Sequence, residues 1–128
     1  MKGEAKPRIL VVDDELVVQQ FLSAILTEAG YEVETADNGS DASEKLESKR
    51  YSVILLDIKM PGMSGIQLYE HIQKTVQSLA KRVVFVTGDV MGTDTWRFLR
   101  KTEVPYLTKP FNDEQLGTEI NRILTPRA

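Results

Sequence analysis

The chain has 128 residues, 41% hydrophobic and 27% charged, with a formal charge of −3. That is one ordinary globular domain, long enough to bury a core and lacking the basic field that nucleic acid or an anionic membrane would ask for. It has no cysteine, which excludes disulfides, thiolate zinc sites and cysteine nucleophiles, and its single histidine, His71, speaks against a Ser-His-Asp triad or a multi-histidine metal site.

Residues 1–7 are a polar entry segment. Arg8 to Val12 (RILVV) then reads as a short buried strand, and it ends in three consecutive acids, Asp13-Asp14-Glu15. From Glu15 to Ala29 the apolar residues Val18, Phe21, Leu22, Ile25, Leu26 and Ala29 recur at helical spacing. They predict a helix with one buried stripe, ended by Gly30. Tyr31 to Ala36 alternates as an edge strand does. Asn38-Gly39-Ser40 is turn chemistry leading into a short polar helix that ends near Arg50, with Ala42 and Leu46 inward.

The stretch around which the rest is organised comes next, Tyr51 to Gly65 (YSVILLDIKMPGMSG). Its unbroken apolar run, Val53 to Leu56, is what a strand buried on both faces of a parallel sheet looks like. It stops abruptly at Asp57, and a Met-Pro-Gly turn follows. Ser64-Gly65 opens a third helix with Ile66, Tyr69, Ile72 and Val76 as its inner face; His71 lies off that stripe and is expected at the surface. Arg82 to Thr87 is another apolar strand closed by a polar residue, and 88–92 a loop. Thr93 to Lys101 is a short fourth helix carrying Trp96, Phe98 and Leu99. Trp96 and Phe98 cannot share its narrow inner face, which leaves two readings open: one of them exposed as part of a partner surface, or simple packing against the sheet edge. Val104 to Thr108 is a fifth strand ending at Lys109-Pro110. The last helix starts at Asn112, with Gln115 completing a capping box, and buries Leu116, Ile120 and Ile123.

Five β-α pairs in succession predict an α/β protein, (βα)5, with a doubly wound five-stranded parallel sheet and helices on both faces. One domain is expected over 1–128, with its core at about 8–124. No apolar run approaches the roughly 20 residues that span a bilayer, and no signal peptide opens the chain, so a cytoplasmic setting is expected.

If the first, third, fourth and fifth strands lie side by side, their polar ends converge: Asp13 and Asp14, Asp57, Thr87 and Lys109. Open α/β sheets bind ligands in the crevice beyond the strands' carboxyl ends. Three carboxylates against one ammonium leave that crevice anionic. Two like charges about 4 Å apart repel by roughly 4 kcal/mol at an effective dielectric of about 20. Such a site must hold protons at neutral pH or recruit a divalent cation. All-oxygen ligands at a water-accessible edge suit Mg²⁺. A carboxylate, a metal, a lysine and a threonine hydroxyl together suit phosphoryl transfer to Asp57.

From about Arg8 to Leu124 the chain resembles the receiver domain of two-component response regulators. The resemblance rests on Asp13-Asp14 in ILVVDDE, Asp57 in VILLDIKMPGMSG, Thr87 in VVFVTGD and Lys109-Pro110 in YLTKPF. It implies a flavodoxin-like fold with strand order 2-1-3-4-5, and phosphorylation of Asp57 by a histidine kinase or histidine phosphotransfer protein. It implies Mg²⁺ (or Mn²⁺) held by Asp14, Asp57 and the backbone carbonyl of Lys59, with Asp13 acting through a water. It implies a cis peptide before Pro110 that aims Lys109 into the pocket. It makes Thr87 and Tyr106 a switch that remodels the face of the fourth helix, fifth strand and fifth helix, where a homodimer would form. Lys59 and Asp89 flank the pocket mouth and are expected to tune the phosphoryl lifetime. The domain is then a signalling module that catalyses only its own phosphorylation and dephosphorylation, with no direct contact to nucleic acid or membrane.

Blander roles compete: the acids as caps of the first helix, Thr87 as a β-branched strand end, Lys109 as a surface lysine, Tyr106 as core. Two rival functions also stand. A haloacid-dehalogenase-like Mg²⁺-dependent phosphatase would need an Asp-x-Asp nucleophile motif on the first strand, and Asp13-Asp14 lacks that spacing. A flavodoxin-like binding module would need a glycine-rich phosphate loop where this chain has acids. The chain stops at Ala128, soon after the last helix, which suggests a stand-alone receiver or an excised domain; residues 83–111 resemble receivers attached to hybrid sensor histidine kinases.

Overall fold

In the computed structural model, which describes residues 6–60, 62–88 and 93–125, strands and helices alternate. They are β1 (Arg8–Val12), α1 (Leu16–Glu28), β2 (Glu32–Ala36), α2 (Gly39–Ser48), β3 (Val53–Asp57), α3 (Gly65–Thr75), α4 (Gln77–Ala80), β4 (Val83–Thr87), α5 (Thr93–Thr102), β5 (Tyr106–Thr108) and α6 (Asp113–Leu124). All strand pairs are parallel, in the order β2-β1-β3-β4-β5. The expected fold class is the observed one. The four-residue α4 is the addition, so the fourth and fifth helices of the sequence reading are α5 and α6.

The three central strands are apolar on both faces because each face has its own helical cover. Leu10, Val12, Ile54, Leu56 and Phe85 point to one side, where Ala42 of α2, Leu68, Tyr69 and Ile72 of α3 and Leu99 of α5 meet them. Ile9, Val11, Leu55, Val84 and Val86 point to the other, against Leu22 and Leu26 of α1 and Leu116 and Ile120 of α6. The helix starts are held by side chains: Asn38 accepts from the Asp41 N–H, and Ser64–Gln67 and Asn112–Gln115 form capping boxes.

Two buried stripes differ from expectation. On α1, Leu22 and Leu26 are buried, but the third buried residue is Gln19, while Phe21 and Ala29 are exposed and Val18 and Ile25 half-buried. The helix is rolled so that a glutamine faces in, because that amide finds acceptors there. On α3 the buried set is Leu68, Tyr69 and Ile72, and Val76 is exposed. The helix ends at Thr75, and Val76 (φ −138°, ψ 79°) leaves its face to connect with α4.

Candidate functional site

The strand order reverses between β1 and β3, where a doubly wound sheet opens a crevice at its carboxyl edge. Asp13 follows β1 directly, Asp57 is the last residue of β3, Thr87 the last of β4, and Lys109 follows β5. The register carries them to one edge, with Val12 beside Leu56, Asp57 beside Val86 and Thr87 beside Thr108. Carboxylate oxygens of Asp13, Asp14 and Asp57 lie within 4.8 Å of one another. The Lys109 ammonium is 3.2 Å from Asp13, 3.6 Å from Glu15 and 3.9 Å from Asp57.

Each group has a local anchor. The Asp13 N–H donates to the Ala36 carbonyl at 3.1 Å, and its carboxylate accepts from the Glu15 N–H at 2.9 Å. Glu15, the N-cap residue of α1, makes no capping hydrogen bond with its side chain. The Lys109 N–H donates to the Thr87 carbonyl at 2.8 Å, which couples the ends of β4 and β5, and the Lys109–Pro110 peptide is cis. Gly65 lets α3 start against the tip of β3. Its N–H donates to the Ile58 carbonyl at 2.9 Å, and a Cβ there would lie 2.0 Å from the Asp57 carbonyl oxygen.

The electrostatics follow from burial. Asp57 is only 5% exposed, and desolvation pushes its carboxyl up to about 6 from 3.8. The Lys109 charge and the Lys59 N–H pull it down, while Asp13 and Asp14 push it up further. Burial disfavours the Lys109 charge too, but Asp57, Asp13 and Glu15 more than offset that and hold its ammonium above the usual lysine range. Three carboxylates and one cation in so small a space are short of positive charge. The donor set is hard oxygen only and partly open to water, since Asp14 is exposed, and it fits a divalent ion of the Mg²⁺ type.

Asp13, Asp14, Asp57 and Lys109 are thus brought together, and Thr87, 1% exposed, closes β4 beside them. Lys59 is exposed and meets Asp57 through its N–H. Tyr106 is 37% exposed at the start of β5, over a groove shared with Glu114, Thr118 and Glu119 of α6. Asp89 and Pro61 lie outside the described residues. Three further residues belong to the site without having been expected there: Glu15 as a partner of Lys109, Gly65 as the point of close approach, and Gln19 beneath the acids. Gln19 had a detectable signal: it stands three and seven residues before Leu22 and Leu26, the positions that share its buried face.

Residues 9–121 match the family model described as the response regulator receiver domain, and the chain belongs to that family. Protein PilH of Pseudomonas aeruginosa is 36% identical over 117 residues, which cover 91% of this chain and 97% of PilH. A CpxR homolog of Haemophilus influenzae, a transcriptional regulatory protein, is 36% identical over 124 residues, 91% of this chain but 50% of that protein. Among solved structures, the response regulator TrrA of Thermotoga maritima in complex with Mg(2+)-BeF superposes with a TM-score of 0.80 at 33% identity, covering 91% of this chain and 98% of TrrA. The protein is therefore a receiver domain of two-component signalling, a class phosphorylated by histidine kinases or phosphotransfer proteins, and the phosphatase and flavodoxin-like alternatives fall away.

Proposed function

We propose that Asp57 is the phosphoacceptor, and that Asp14, Asp57 and the Lys59 carbonyl hold Mg²⁺ or, in its place, Mn²⁺, with Asp13 reaching the ion through a water. The observation that carries this reading is the meeting of three carboxylates and the Lys109 ammonium at the tip of β3. A bound ion supplies positive charge that offsets the acids and the transferred phosphoryl oxygens. Asp57 presents a carboxylate oxygen to the phosphorus of a phosphohistidine. The O–P bond forms as the N–P bond breaks, and the imidazole leaves with that electron pair. Lys109, held by Asp13 and Glu15 beforehand, turns its donors to a phosphoryl oxygen.

The Thr87 hydroxyl donates to another phosphoryl oxygen, and Tyr106, outside in this state, turns into the vacated space. The remodelled face is α5–β5–α6, through which the phosphorylated domain pairs with a second copy. Lys59 and Asp89, opposite in charge and each two residues after a site residue (Asp57 and Thr87), slow hydrolysis of the phosphoryl group; a Lys59→Ala variant with an unchanged phosphoryl lifetime would speak against that pair. The unit is one domain over 1–128, acting in the cytoplasm as a signalling module, without contacts of its own to nucleic acid or membrane.

Incubation with acetyl phosphate and Mg²⁺, followed by intact-mass measurement, tests the reading. The native chain gains the mass of one phosphoryl group and Asp57→Asn gains none. Equal modification of both would overturn the assignment.

A further inference from the structure

We propose that Gln19 is a positioning residue of the metal pocket, setting the direction in which Asp14 points; the inference rests on the reading of that pocket given above. Gln19 is 5% exposed on the inner face of α1. Its Nε2 donates to the Asp13 carbonyl at 2.6 Å and to the Asp37 carboxylate at 2.8 Å. A carbonyl and a carboxylate only accept, so the amide nitrogen, not its oxygen, must face them.

The Asp13 carbonyl and the Asp14 N–H belong to one planar peptide unit. Holding its oxygen therefore orients the plane from which the Asp14 Cα projects. The Asp13 side of that unit is secured by the Ala36 carbonyl, the Glu15 N–H and Lys109. The Asp14 carboxylate is exposed, and no hydrogen bond from the described residues holds it. Its aim is inherited from the backbone, and Gln19 is the tether at that peptide. The second bond fixes the tether itself. Asp37 follows β2, and its N–H donates to the Asp41 carboxylate in α2 at 3.3 Å. One amide thus braces the first helix, the acidic loop after β1 and the turn after β2.

A buried glutamine whose donors are satisfied can also be plain core structure, so the test must separate affinity from stability. Groups that orient metal ligands typically change affinity about 10–100-fold when removed. Isothermal titration calorimetry of the full 128-residue chain with MgCl₂ compares the native protein with Gln19→Met, which keeps length and loses both bonds, and Gln19→Ala. Both are expected to bind Mg²⁺ about 10–100-fold more weakly while still melting cooperatively. Leu22→Val, on the same helix face but away from the loop, is expected to lower the melting temperature with the dissociation constant unchanged. Gln19 variants that melt earlier yet bind Mg²⁺ as tightly as the native chain would overturn the proposal alone. A native chain that takes up no Mg²⁺ would overturn the reading of the pocket and this inference with it.

Discussion

Asp57 is buried among other acids, and its charge weighs on the fold until something neutralises it. Its folded value of about 6 lies above the 3.8 of an unperturbed aspartate, so the native state binds this proton more tightly than the unfolded chain. Native stability is therefore lost as pH rises through about 6, and the loss vanishes below about pH 4, where both states are protonated. Asp57→Asn removes the penalty, and Lys109 keeps Asp13 and Glu15 as partners. In EDTA at pH 7.5 the variant should be more stable by about 1–2 kcal/mol after discounting for solvent access. Urea denaturation at pH 7.5 and pH 4 checks this: the gap should close at the lower pH, and a less stable variant at pH 7.5 would contradict it. Gly65 imposes a constraint of a different kind. The atoms its Cβ would meet are backbone atoms of Asp57 and Ile58, which cannot swing aside. Gly65→Ala should cost about 1–3 kcal/mol, read from the urea midpoint, as α3 backs away from the β3 tip.

Among the elements, α5 shows what patterning leaves open. It carries two large aromatics, and only packing decides which goes inside. Phe98 joins Tyr69 and Phe85 in a triangle with ring centroids 5.4–5.8 Å apart, whereas Trp96 is 44% exposed with Arg100 over its ring. Phe98→Ala should therefore destabilise by about 2–4 kcal/mol, and Trp96→Ala should stay within about 0.5 kcal/mol, by thermal melts of the two variants. The strands were legible because strands covered on both faces must be apolar throughout, so each polar terminator (Asp13, Asp57, Thr87) stood out. Helix α6 was legible because Asn112 and Gln115 write their cap locally. The roll of α1 was not, since what accepts from Gln19 comes from two other loops, and helical spacing sets a period without its phase. Nor was the exit of Val76, which depends on where α3 stops.

Taken whole, the molecule is polarised along its strands. At one edge lie the acids; at the other a cleft of about 1110 Å³ is lined by Lys49, Arg50, Lys81, Arg82 and Arg122. Lys49 and Lys81 sit at the ends of α2 and α4, and Arg122 in the last turn of α6, where cations suit the negative end of a helix dipole. At the acidic edge the Lys109 ammonium faces three clustered carboxylates, and the cluster is assembled only by folding, because Asp14 and Asp57 come from different strands' ends. An ion that needs both binds the native state and not the unfolded chain, so its binding energy becomes folding energy. At a free Mg²⁺ concentration of a hundred times Kd, the native protein should gain about 2.7 kcal/mol. Thermal melts with increasing MgCl₂ check this against NaCl at matched ionic strength, which screens the same charges but bridges none. The rise should be far larger with Mg²⁺, reverse with EDTA and largely disappear in Asp14→Asn. An equal rise in that variant would mean the ion stabilises the protein from elsewhere.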